Sequence, residues 1–469
     1  MKRTPLPLIL SLSFIVFALI MGGLNLGTPH ASAANATKSY VVFAGQWGPN
    51  QNAAVGAAGG QITYSHKSGV AVVTSDNPNF LQAVAASNAV TGAAEDQMVQ
   101  WQPNVREVQL EETAVTPGDE TFINAQWNVQ SIEAPAAWAA GYTGQGVRVA
   151  VLDGGIHSTH QDLDGNLDVA RSTSFVPGFA FNQDVGTFWH GTHVAGIVAA
   201  EDNALGTIGV APGATIIGVK VLHNGSGSFG GVIAGILYAS TPIAEGGAGA
   251  DIINMSLGAT FPKGGGPGTG QLISQLNKAV NFAGSQGVLV VSATGNDGLD
   301  LDHSGSFTSV PAMSGSGIAV SSTGPVGFAV GFPNGAQNFR RPSSFTNFGN
   351  SIVTVAGPGG DFVLPGTAIC ALPRVPSGTI VSQCWVFDMV LSTSRGAGAS
   401  TTTYSFAAGT SMATPAVSGV AALIKQRFPG ISLGALKAHL TQTADDEGKK
   451  GNDPFYGKGF VNARRAVTE

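Results

Sequence analysis

Short apolar runs alternate with helical patterns along most of the chain. The runs 147–152, 215–222, 251–255, 288–292, 318–321 and 352–356 are nearly continuous in apolar residues, which is typical of strands buried on both faces. The segments 190–200, 231–239, 272–285 and 411–426 carry apolar residues at three- and four-residue spacing, as helices do. This alternation predicts an α/β fold with a mostly parallel central sheet covered by helices. Pro415 is expected in the first turn of the last helix, where its missing N–H costs little.

A different pattern comes before these segments. The runs 39–43 and 69–74 are typical of strands, and residues 80–86 fit a short amphipathic helix. We therefore expect a small α+β unit over residues 34–102. Residues 103–126 are polar and acidic and contain Pro and Gly, which is the composition of an exposed linker.

The first 33 residues have the three parts of a secretory signal peptide. Lys2 and Arg3 are charged, residues 6–26 are largely apolar, and Ala31-Ser32-Ala33 is a small-residue cleavage site. An uncleaved membrane anchor is the alternative, although glycines interrupt the apolar stretch before it reaches the length of a span. The sequence thus predicts a secreted, extracellular protein.

The chain has two cysteines, Cys370 and Cys384. Disulfides persist outside the cell, so in an exported protein an even, closely spaced pair is expected to be bonded. Two unrelated buried thiols are the alternative. Neither cysteine lies beside the motifs described below, so a cysteine nucleophile is not expected.

Composition and charge narrow the classes of partner. The formal net charge is −6 over 469 residues, only 11% of residues are charged, and Lys and Arg form no run. Nucleic acid and anionic membranes bind basic surfaces, so neither is an expected partner once the signal peptide is removed. Glycine, at 66 residues, is about twice as frequent as usual, which indicates a loop-rich protein.

Three motifs supply what a serine nucleophile needs. Ser411 lies in Gly-Thr-Ser-Met-Ala-Thr-Pro, His190 opens His-Gly-Thr-His-Val-Ala-Gly, and Asp153 ends the first buried run. A serine hydroxyl must pass its proton to a base, and an imidazole base needs a carboxylate to hold its tautomer and stabilise its cation. The three residues follow one another along the chain in the order Asp, His, Ser.

With this order and these motifs, the region from residue 127 to about 463 resembles the subtilases, the subtilisin-like serine endopeptidases. The resemblance implies a three-layer fold in a peptidase domain at 127–469, and hydrolysis of protein or peptide substrates by a monomer. It also implies that the small unit at 34–102 is a propeptide that inhibits the enzyme until self-cleavage within 103–126. An unrelated N-terminal domain is the alternative.

The resemblance assigns further residues to the site. Asn296 matches the oxyanion-hole asparagine, and the N–H of Ser411 at a helix start would be the second donor. Three segments match the walls of a cleft that binds extended peptide through its backbone: Gly225, Ser226 and Gly227; Ser256, Leu257 and Gly258; and Ala293, Thr294 and Gly295. An Asn-Asp-Gly turn at 296 and plain Gly/Ser loops at the walls are the alternatives.

The resemblance also implies structural calcium. Asp162 and Asn203 correspond to ligands of the strong calcium site of subtilisins, and oxygen-rich loops suit this hard cation. A solvated turn is the alternative. His190 and His193 could share a metal, but neither a glutamate base nor a third ligand accompanies them, so no catalytic metal or other catalytic cofactor is expected. His190 is the expected base.

The chain departs from the subtilase pattern at a few places, and two other classes of protein are alternatives. The family has Ser or Thr after the catalytic Asp, where this chain has Gly154, and segments near 264–270, 325–341 and 361–403 exceed a minimal subtilisin core. An α/β-hydrolase esterase is a second enzyme class, but Ala413 stands where its Gly-x-Ser-x-Gly motif needs glycine. A binding-only relative would be expected to lose a triad residue or Asn296, and all four are present.

The cleft walls predict specificity. The wall segments and the expected pocket floor at Ser309-Val310-Pro311 carry no charge. An uncharged pocket leaves a lysine or arginine head group without a partner, which opposes its burial. The sequence therefore predicts broad cleavage after apolar or aromatic residues.

Overall fold

The computed structural model describes residues 36–110, 121–303, 305–335, 338–396 and 402–469. The predicted signal peptide, residues 1–33, and residues 111–120 of the predicted linker lie outside these ranges. Thr37–Glu469 cluster into a single unit. Within the described ranges, no helix has both the length and the apolar character that a bilayer span requires.

A small antiparallel sheet with two helices comes first. Its elements are β1 (Lys38–Phe43), α1 (Pro49–Ala57), β2 (Gln61–His66), β3 (Val70–Ser75), α2 (Phe80–Ala85) and β4 (Gly92–Glu95), with sheet order β2-β3-β1-β4. Side chains alternate between the two faces of a strand. Tyr40 and Val42 pack within this unit, whereas Val41 and Phe43 join the core of the larger part of the molecule. The α+β pattern predicted for this region is therefore present.

The rest of the described chain carries the larger fold. Its helices are α3 (Trp127–Ser131), α4 (Ala134–Ala139), α5 (His190–Ala199), α6 (Phe229–Ser240), α7 (Thr269–Ser285), α8 (Thr410–Arg427), α9 (Leu433–Gln442) and α10 (Ala463–Thr468). Its strands are β5 (Met98–Gln100), β6 (Arg106–Gln109), β7 (Arg148–Asp153), β8 (Thr173–Ser174), β9 (Thr215–Lys220), β10 (Ser226–Ser228), β11 (Ile252–Met255), β12 (Ala259–Pro262), β13 (Leu289–Ala293), β14 (Phe307–Val310), β15 (Ile318–Thr323), β16 (Val353–Pro358), β17 (Ile369–Pro373), β18 (Thr379–Gln383), β19 (Val390–Ser394) and β20 (Thr403–Ala408). Short 3₁₀ helices span Ile123–Ala125, Ile243–Glu245 and Cys384–Asp388.

A seven-stranded parallel sheet in the order β16-β15-β13-β11-β7-β9-β8 forms the centre. Ala150 and Leu152 of β7 face a core shared with α6 and α7, while Val149 and Val151 face a core shared with α5 and α8. The result is three layers, as predicted, because a strand covered on both faces must be apolar at every position. The six predicted strands and four predicted helices are all present, with ends shifted by up to three residues.

Pro415 does not lie where the sequence analysis put it. Helix α8 begins at Thr410, so Pro415 is in its second turn and not in the first. Proline has no N–H, so the carbonyl of Ser411 lacks its usual partner four residues later. That carbonyl accepts a hydrogen bond from Oγ of Ser256 instead, at 2.8 Å. The proline therefore leaves a backbone acceptor available to Ser256, the residue that follows β11.

The segment from 361 to 396 forms structure of its own beside this core. Strands β17 and β18 make an antiparallel hairpin, and Cys370 and Cys384 are joined in the disulfide that the sequence predicts. The carboxylate of Asp388 accepts hydrogen bonds from the N–H groups of Gly327 (2.8 Å) and Phe328 (2.7 Å). Burial raises the pKa of Asp388 to about 6. Asp388 thus ties together two of the segments that exceed a minimal core.

Residues 98–109 cross the molecule as extended chain. Strand β5 pairs antiparallel with β10, and β6 pairs antiparallel with β20. Residues 106–109 were expected in an exposed linker, and they form an edge strand instead. Their partner lies about 300 residues further along the sequence, as the pair Ala408 and Arg106 shows, so local composition does not reveal the pairing.

Candidate active site

The site lies at one edge of the central sheet. Asp153 is the last residue of β7, Ser256 follows β11 directly, and Asn296 lies three residues after β13. These strands are neighbours and run parallel, so their carboxyl ends meet at the same edge, where α/β folds place ligands. The structure therefore brings together residues that are far apart in the sequence.

Asp153 and His190 form a buried pair. The Nδ1 of His190 donates to Oδ2 of Asp153 at 2.8 Å and lies 3.0 Å from Oδ1. Both side chains are only 1% exposed. Because Nδ1 carries the proton in this contact, Nε2 keeps its lone pair, and among the described residues Nε2 has no hydrogen-bond partner. This tautomer is the one in which an imidazole can accept a proton.

A buried lysine stands beside this pair. Lys220 ends β9 and is paired in register with Asp153. Its ammonium group donates to the carbonyls of Leu222 (2.7 Å) and Gly154, and burial lowers its pKa. The sequence analysis missed this residue. The available signal was a lone lysine within an otherwise apolar strand.

Gly154, the departure from the family pattern, has a structural reason. A Cβ atom at this position would overlap the carboxylate of Asp184. Asp184 accepts a hydrogen bond from the N–H of Asn224 at 3.1 Å and lies 3.6 Å from Nδ1 of His223. Burial raises the pKa of Asp184. A carboxylate from a distant loop therefore occupies the space next to Asp153 that a serine or threonine side chain would need.

Ser411 and Ser256 are joined by two hydrogen bonds. Oγ of Ser411 donates to the carbonyl of Ser256 at 3.2 Å, and Oγ of Ser256 donates to the carbonyl of Ser411 at 2.8 Å. Oγ of Ser256 also accepts from Nδ2 of Asn254 at 3.0 Å. The side chain of Ser256 therefore points into the core, and this residue contributes its backbone alone to the cleft wall.

The side-chain amide of Asn296 forms hydrogen bonds through both its oxygen and its nitrogen. Its Oδ1 accepts from the N–H (2.9 Å) and hydroxyl (2.7 Å) of Thr410, the residue before Ser411. Its Nδ2 donates to the carbonyl oxygen of Asn104 at 2.7 Å. The contacts with Thr410 fix the amide so that its N–H₂ group points at a peptide carbonyl in the cleft. Sequence reasoning found Asn296 but not its partners.

The predicted cleft walls hold residues 98–102 by their backbone. Ser226 and Gly227 pair with Gln100 and Val99 in the β5–β10 ladder. The carbonyl of Gly225 accepts from the N–H of Trp101 at 3.0 Å, and on the other side the N–H of Gly258 donates to the carbonyl of Trp101 at 2.8 Å. The chain thus lies between the two walls as a third strand.

Trp101 fills an aromatic pocket in this cleft and was not singled out from the sequence. It is fully buried, and its Nε1 donates to the carbonyl of Gly227 at 3.0 Å. Its ring meets the rings of Phe229 and Phe261 edge to face, with centroids 4.9 and 6.2 Å apart. Such a residue contributes both buried area and a directed hydrogen bond.

A cavity of about 680 Å³ lies beside Asn104. Gly258, Ala293, Thr294 and Gly295 line it, as the sequence predicts for the first specificity pocket, and Ser309 and Val310 are also part of the lining. Among the described lining residues Asp297 alone is charged, and it is exposed. The pocket walls are otherwise uncharged.

The predicted calcium ligands lie close together. The N–H of Glu201 donates to the carbonyl of Asp162 at 3.0 Å, and Nδ2 of Asn203 donates to the carbonyl of Gln161 at 3.0 Å. Oδ2 of buried Asp162 accepts from the N–H and hydroxyl of Thr207 at 3.0 and 2.9 Å. The described residues contain no group of three or more His, Cys, Asp and Glu side chains that could hold a metal. Asp162 and Asn203 could contribute oxygens from one loop cluster, and further ligands would have to be carbonyls.

His193 has a structural role. Its Nε2 donates to the carbonyl of Ser405 at 2.9 Å, and full burial lowers its pKa to about 3. The ring is therefore neutral near pH 7 and holds α5 against β20. It lies apart from the contact between His190 and Asp153, so the structure does not bring the two histidines into one metal site.

Comparisons with known proteins agree with this geometry. The model of the Subtilase family matches residues 144–459. M-protease of Shouchella clausii (strain KSM-K16) is 39% identical over 342 residues, which cover 73% of this chain and 69% of that protein. Subtilisin Savinase of Lederbergia lenta is 38% identical over 342 residues, 73% of this chain and 98% of that protein. Thermitase of Thermoactinomyces vulgaris is 34% identical over 354 residues, 75% of this chain and 99% of that protein.

Solved structures give the same likeness. A protease of Pseudoalteromonas arctica PAMC 21717 matches with a TM-score of 0.56 and 29% identity, covering 75% of this chain and 99% of that one. The epidermin leader peptide processing serine protease of Staphylococcus aureus matches with a TM-score of 0.69 and 21% identity, covering 92% of this chain and 98% of that one. The second likeness shows the fold.

We predict that Gly154→Ser destabilises the site because the new side chain overlaps the carboxylate of Asp184. Overpacking of this kind costs about 1–3 kcal/mol. Removing the carboxylate in the double variant Gly154→Ser, Asp184→Ala should restore most of the loss. Thermal unfolding of the four proteins in a double-mutant cycle, each also carrying Ser411→Ala to prevent proteolysis, measures the coupling. Additive effects would contradict the overlap.

Proposed function

Because the chain belongs to the subtilase family and is a serine-type endopeptidase, we propose that Ser411, His190, Asp153 and Asn296 carry its chemistry and that it is made as a self-processed precursor. The observation that carries the proposal is the 2.7 Å hydrogen bond from Asn296 to the carbonyl of Asn104. It joins an oxyanion donor to one particular peptide bond of the same chain.

The proposed chemistry follows from the contacts. The hydroxyl of Ser411 turns from the carbonyl of Ser256 toward Nε2 of His190 and gives up its proton as its oxygen attacks the peptide carbonyl. Asp153 holds the Nδ1 proton and stabilises the imidazolium that forms. Asn296 and the N–H of Ser411 donate to the developing oxyanion, whose charge the start of α8 also favours. His190 then gives the proton to the leaving amine as the peptide C–N bond breaks, which leaves the acyl group as an ester on Ser411. A water molecule that passes a proton to His190 hydrolyses this ester and regenerates the Ser411 hydroxyl.

We further propose that the bond between Asn104 and Val105 is the maturation site. The carbonyl of Asn104 accepts from Asn296, and backbone pairing holds the chain on both sides, through β5 before the bond and β6 after it. A Cβ atom on Gly409, two residues before Ser411, would meet Cγ1 of Val105 at 3.0 Å. This narrows the predicted cleavage region, 103–126, to one bond.

The N-terminal unit would then be an inhibitory propeptide. Its strand β1 sends Val41 and Phe43 into the core shared with α6 and α7, and Oδ1 of Asp96 accepts from the N–H of Gly230 at the start of α6 at 2.9 Å. Segment 98–109 fills the cleft, so no other peptide can enter while it remains. These contacts support a protein or peptide substrate class, with the chain's own propeptide as its first ligand.

We also propose export, with residues 1–33 as the signal peptide, and a monomeric secreted enzyme. The three-part pattern of those residues supports the proposal, and so does the Cys370–Cys384 disulfide, which is the kind of bond that persists outside the cell.

We predict that Ser411→Ala leaves the precursor at full length apart from its signal peptide, because one nucleophile serves both maturation and turnover. The wild type should release a first fragment that begins at Val105, which N-terminal sequencing and intact mass identify over a time course. His190→Ala should behave like Ser411→Ala, whereas His193→Ala should process. A first cut at another bond would refute the assignment of the site, and processing of Ser411→Ala expressed alone would refute self-cleavage.

For substrates other than the precursor's own segment, whose Asn104 is held in the cleft through its backbone, we predict broad cleavage after apolar or aromatic residues. The reason is that the pocket beside Asn104 is uncharged apart from the exposed Asp297. One methylene more or less changes apolar binding by about 1–3 kcal/mol, which limits selectivity. A peptide library with the residue before the cut randomised tests this. A dominant preference for Arg or Lys would mean that Asp297 reaches the bound side chain, and Asp297→Asn should then abolish it.

For calcium, we propose that Asp162 and Asn203 contribute oxygen ligands to a structural ion. A ligand that binds only the folded state stabilises it by about 2.7 kcal/mol at a hundredfold excess over Kd. Chelation should therefore lower the melting temperature of the Ser411→Ala protein. Asp162→Asn keeps an acceptor for Thr207, and it should remove the difference between melting curves with and without chelator. Superimposable curves for the parent protein would count against a bound ion.

A further inference from the structure

Residues 361–396 lie beside β6, the strand that follows the bond between Asn104 and Val105. Strand β19, which belongs to these residues, pairs with β20, and β20 pairs with β6. A segment that exceeds the minimal core is therefore joined to residues 106–109 in one three-stranded sheet.

One side chain of β6 meets this segment in a defined contact. The guanidinium carbon of Arg106 lies 5.2 Å from the centroid of the Trp385 ring. A cavity of about 150 Å³ surrounds this contact and is lined by Arg106, Phe362, Leu364, Gly366 and Trp385. No described lining residue other than Arg106 carries a charge. The attraction is therefore that of a cation for the face of an aromatic ring, with apolar neighbours along the aliphatic stem.

Trp385 is held in place by its surroundings. It follows Cys384, whose disulfide to Cys370 closes the β17–β18 hairpin, and it lies in the 3₁₀ helix Cys384–Asp388. Its Nε1 donates to Oε1 of Gln383 at 2.5 Å. The register of β6 on β20 sets Arg106 opposite Ala408. Both partners of the contact are thus positioned by structure outside the contact itself.

We propose that Phe362, Leu364, Gly366 and Trp385 form a subsite that selects a cationic side chain, arginine above lysine, at the second position after the cleaved bond. The proposal rests on the proposed function, since Arg106 holds that position only if Asn104–Val105 is the bond that is cut. Arginine is favoured because its planar guanidinium stacks on an indole, whereas an ammonium is more strongly hydrated. The precursor's own Arg106 is then the first occupant of the subsite.

The expected strength of the arginine preference depends on how exposed Arg106 and Trp385 are to solvent. Arg106 is exposed and Trp385 half-buried. A cation–π contact in this setting changes a rate or affinity by about two- to fivefold. The subsite therefore adds a preference to a broadly specific enzyme.

The test uses the full chain, expressed and left to process itself. Quenched peptides copy residues 98–109, with arginine, lysine or uncharged norleucine at the position of Arg106, and kcat/KM is measured for each. The wild type should cleave the arginine peptide about two- to fivefold faster than the norleucine peptide, with lysine between them. Trp385→Leu should bring the ratio of the arginine rate to the norleucine rate to about one.

Three variants keep the test decisive. Trp385→Phe keeps an aromatic face and should retain part of the preference. Val381→Ala changes an exposed apolar residue of the same hairpin that does not line the cavity, and it should keep all of the preference. If Trp385→Leu fails to cleave the norleucine peptide, Phe362→Ala replaces it and should lower the ratio.

The outcomes distinguish failure of the proposed subsite from failure of the proposed function. Equal rates for the three peptides in the wild type, or an unchanged ratio in Trp385→Leu, would overturn the subsite and leave the proposed function intact. Failure of the wild type to cleave any of the peptides would overturn the proposed function itself.

Discussion

The contact between helix α8 and strand β11 is the constraint on which the rest of the site depends. Ser411 and Ser256 are joined by two hydrogen bonds. About two turns further along α8, Oγ of Ser418 donates to Oδ1 of Asn254 at 2.8 Å. All of these groups are buried, so leaving any of them unpaired would cost about 1–3 kcal/mol. The helix can therefore meet the sheet in one register, and Ser411 is positioned by the core and not by a loop.

That register determines what the neighbouring strands contribute. Asp153 and Lys220 stand at the ends of β7 and β9, and Asn296 reaches back to Thr410, the first residue of α8. The cleft then runs along the sheet edge, with backbone partners on both sides of the proposed bond. Under the proposed function, discrimination between side chains would depend on a few pockets, around Trp101, beside Asn104 and at Trp385. Such a cleft would bind any extended peptide through its backbone and would favour those peptides whose side chains fit the pockets.

The sequence predicted the core well because short, nearly continuous apolar runs that alternate with longer helical patterns are typical of buried parallel strands. Every predicted strand and helix of the central layers is present. The triad motifs could be found because strand ends and a helix start carry them. Pro415 was misjudged because helix starts are uncertain by a residue or two, and its role depends on Ser256, which is 159 positions away in the sequence. The glycine at position 154 and the strand β6 could not be predicted from the sequence either, because each depends on a contact with a distant residue or strand. Their partners, Asp184 and β20, are distant, and single-sequence periodicity carries no information about such contacts.

The path of residues 98–109 has a consequence for the control of the enzyme in time. While the proposed bond after Asn104 is intact, the segment in the cleft is tethered on both sides, and its effective concentration there does not depend on dilution. Under the proposed function, the same contacts around Trp101 would join two separate molecules after the cut, and these would dissociate when the solution is dilute enough. Secretion into a large volume would then activate the enzyme, because dilution favours dissociation of the cleaved N-terminal unit. A compartment in which the protein is concentrated would keep that unit bound to the peptidase domain. Cleavage of this one proposed bond would thus convert an intramolecular inhibitor into one whose binding depends on concentration.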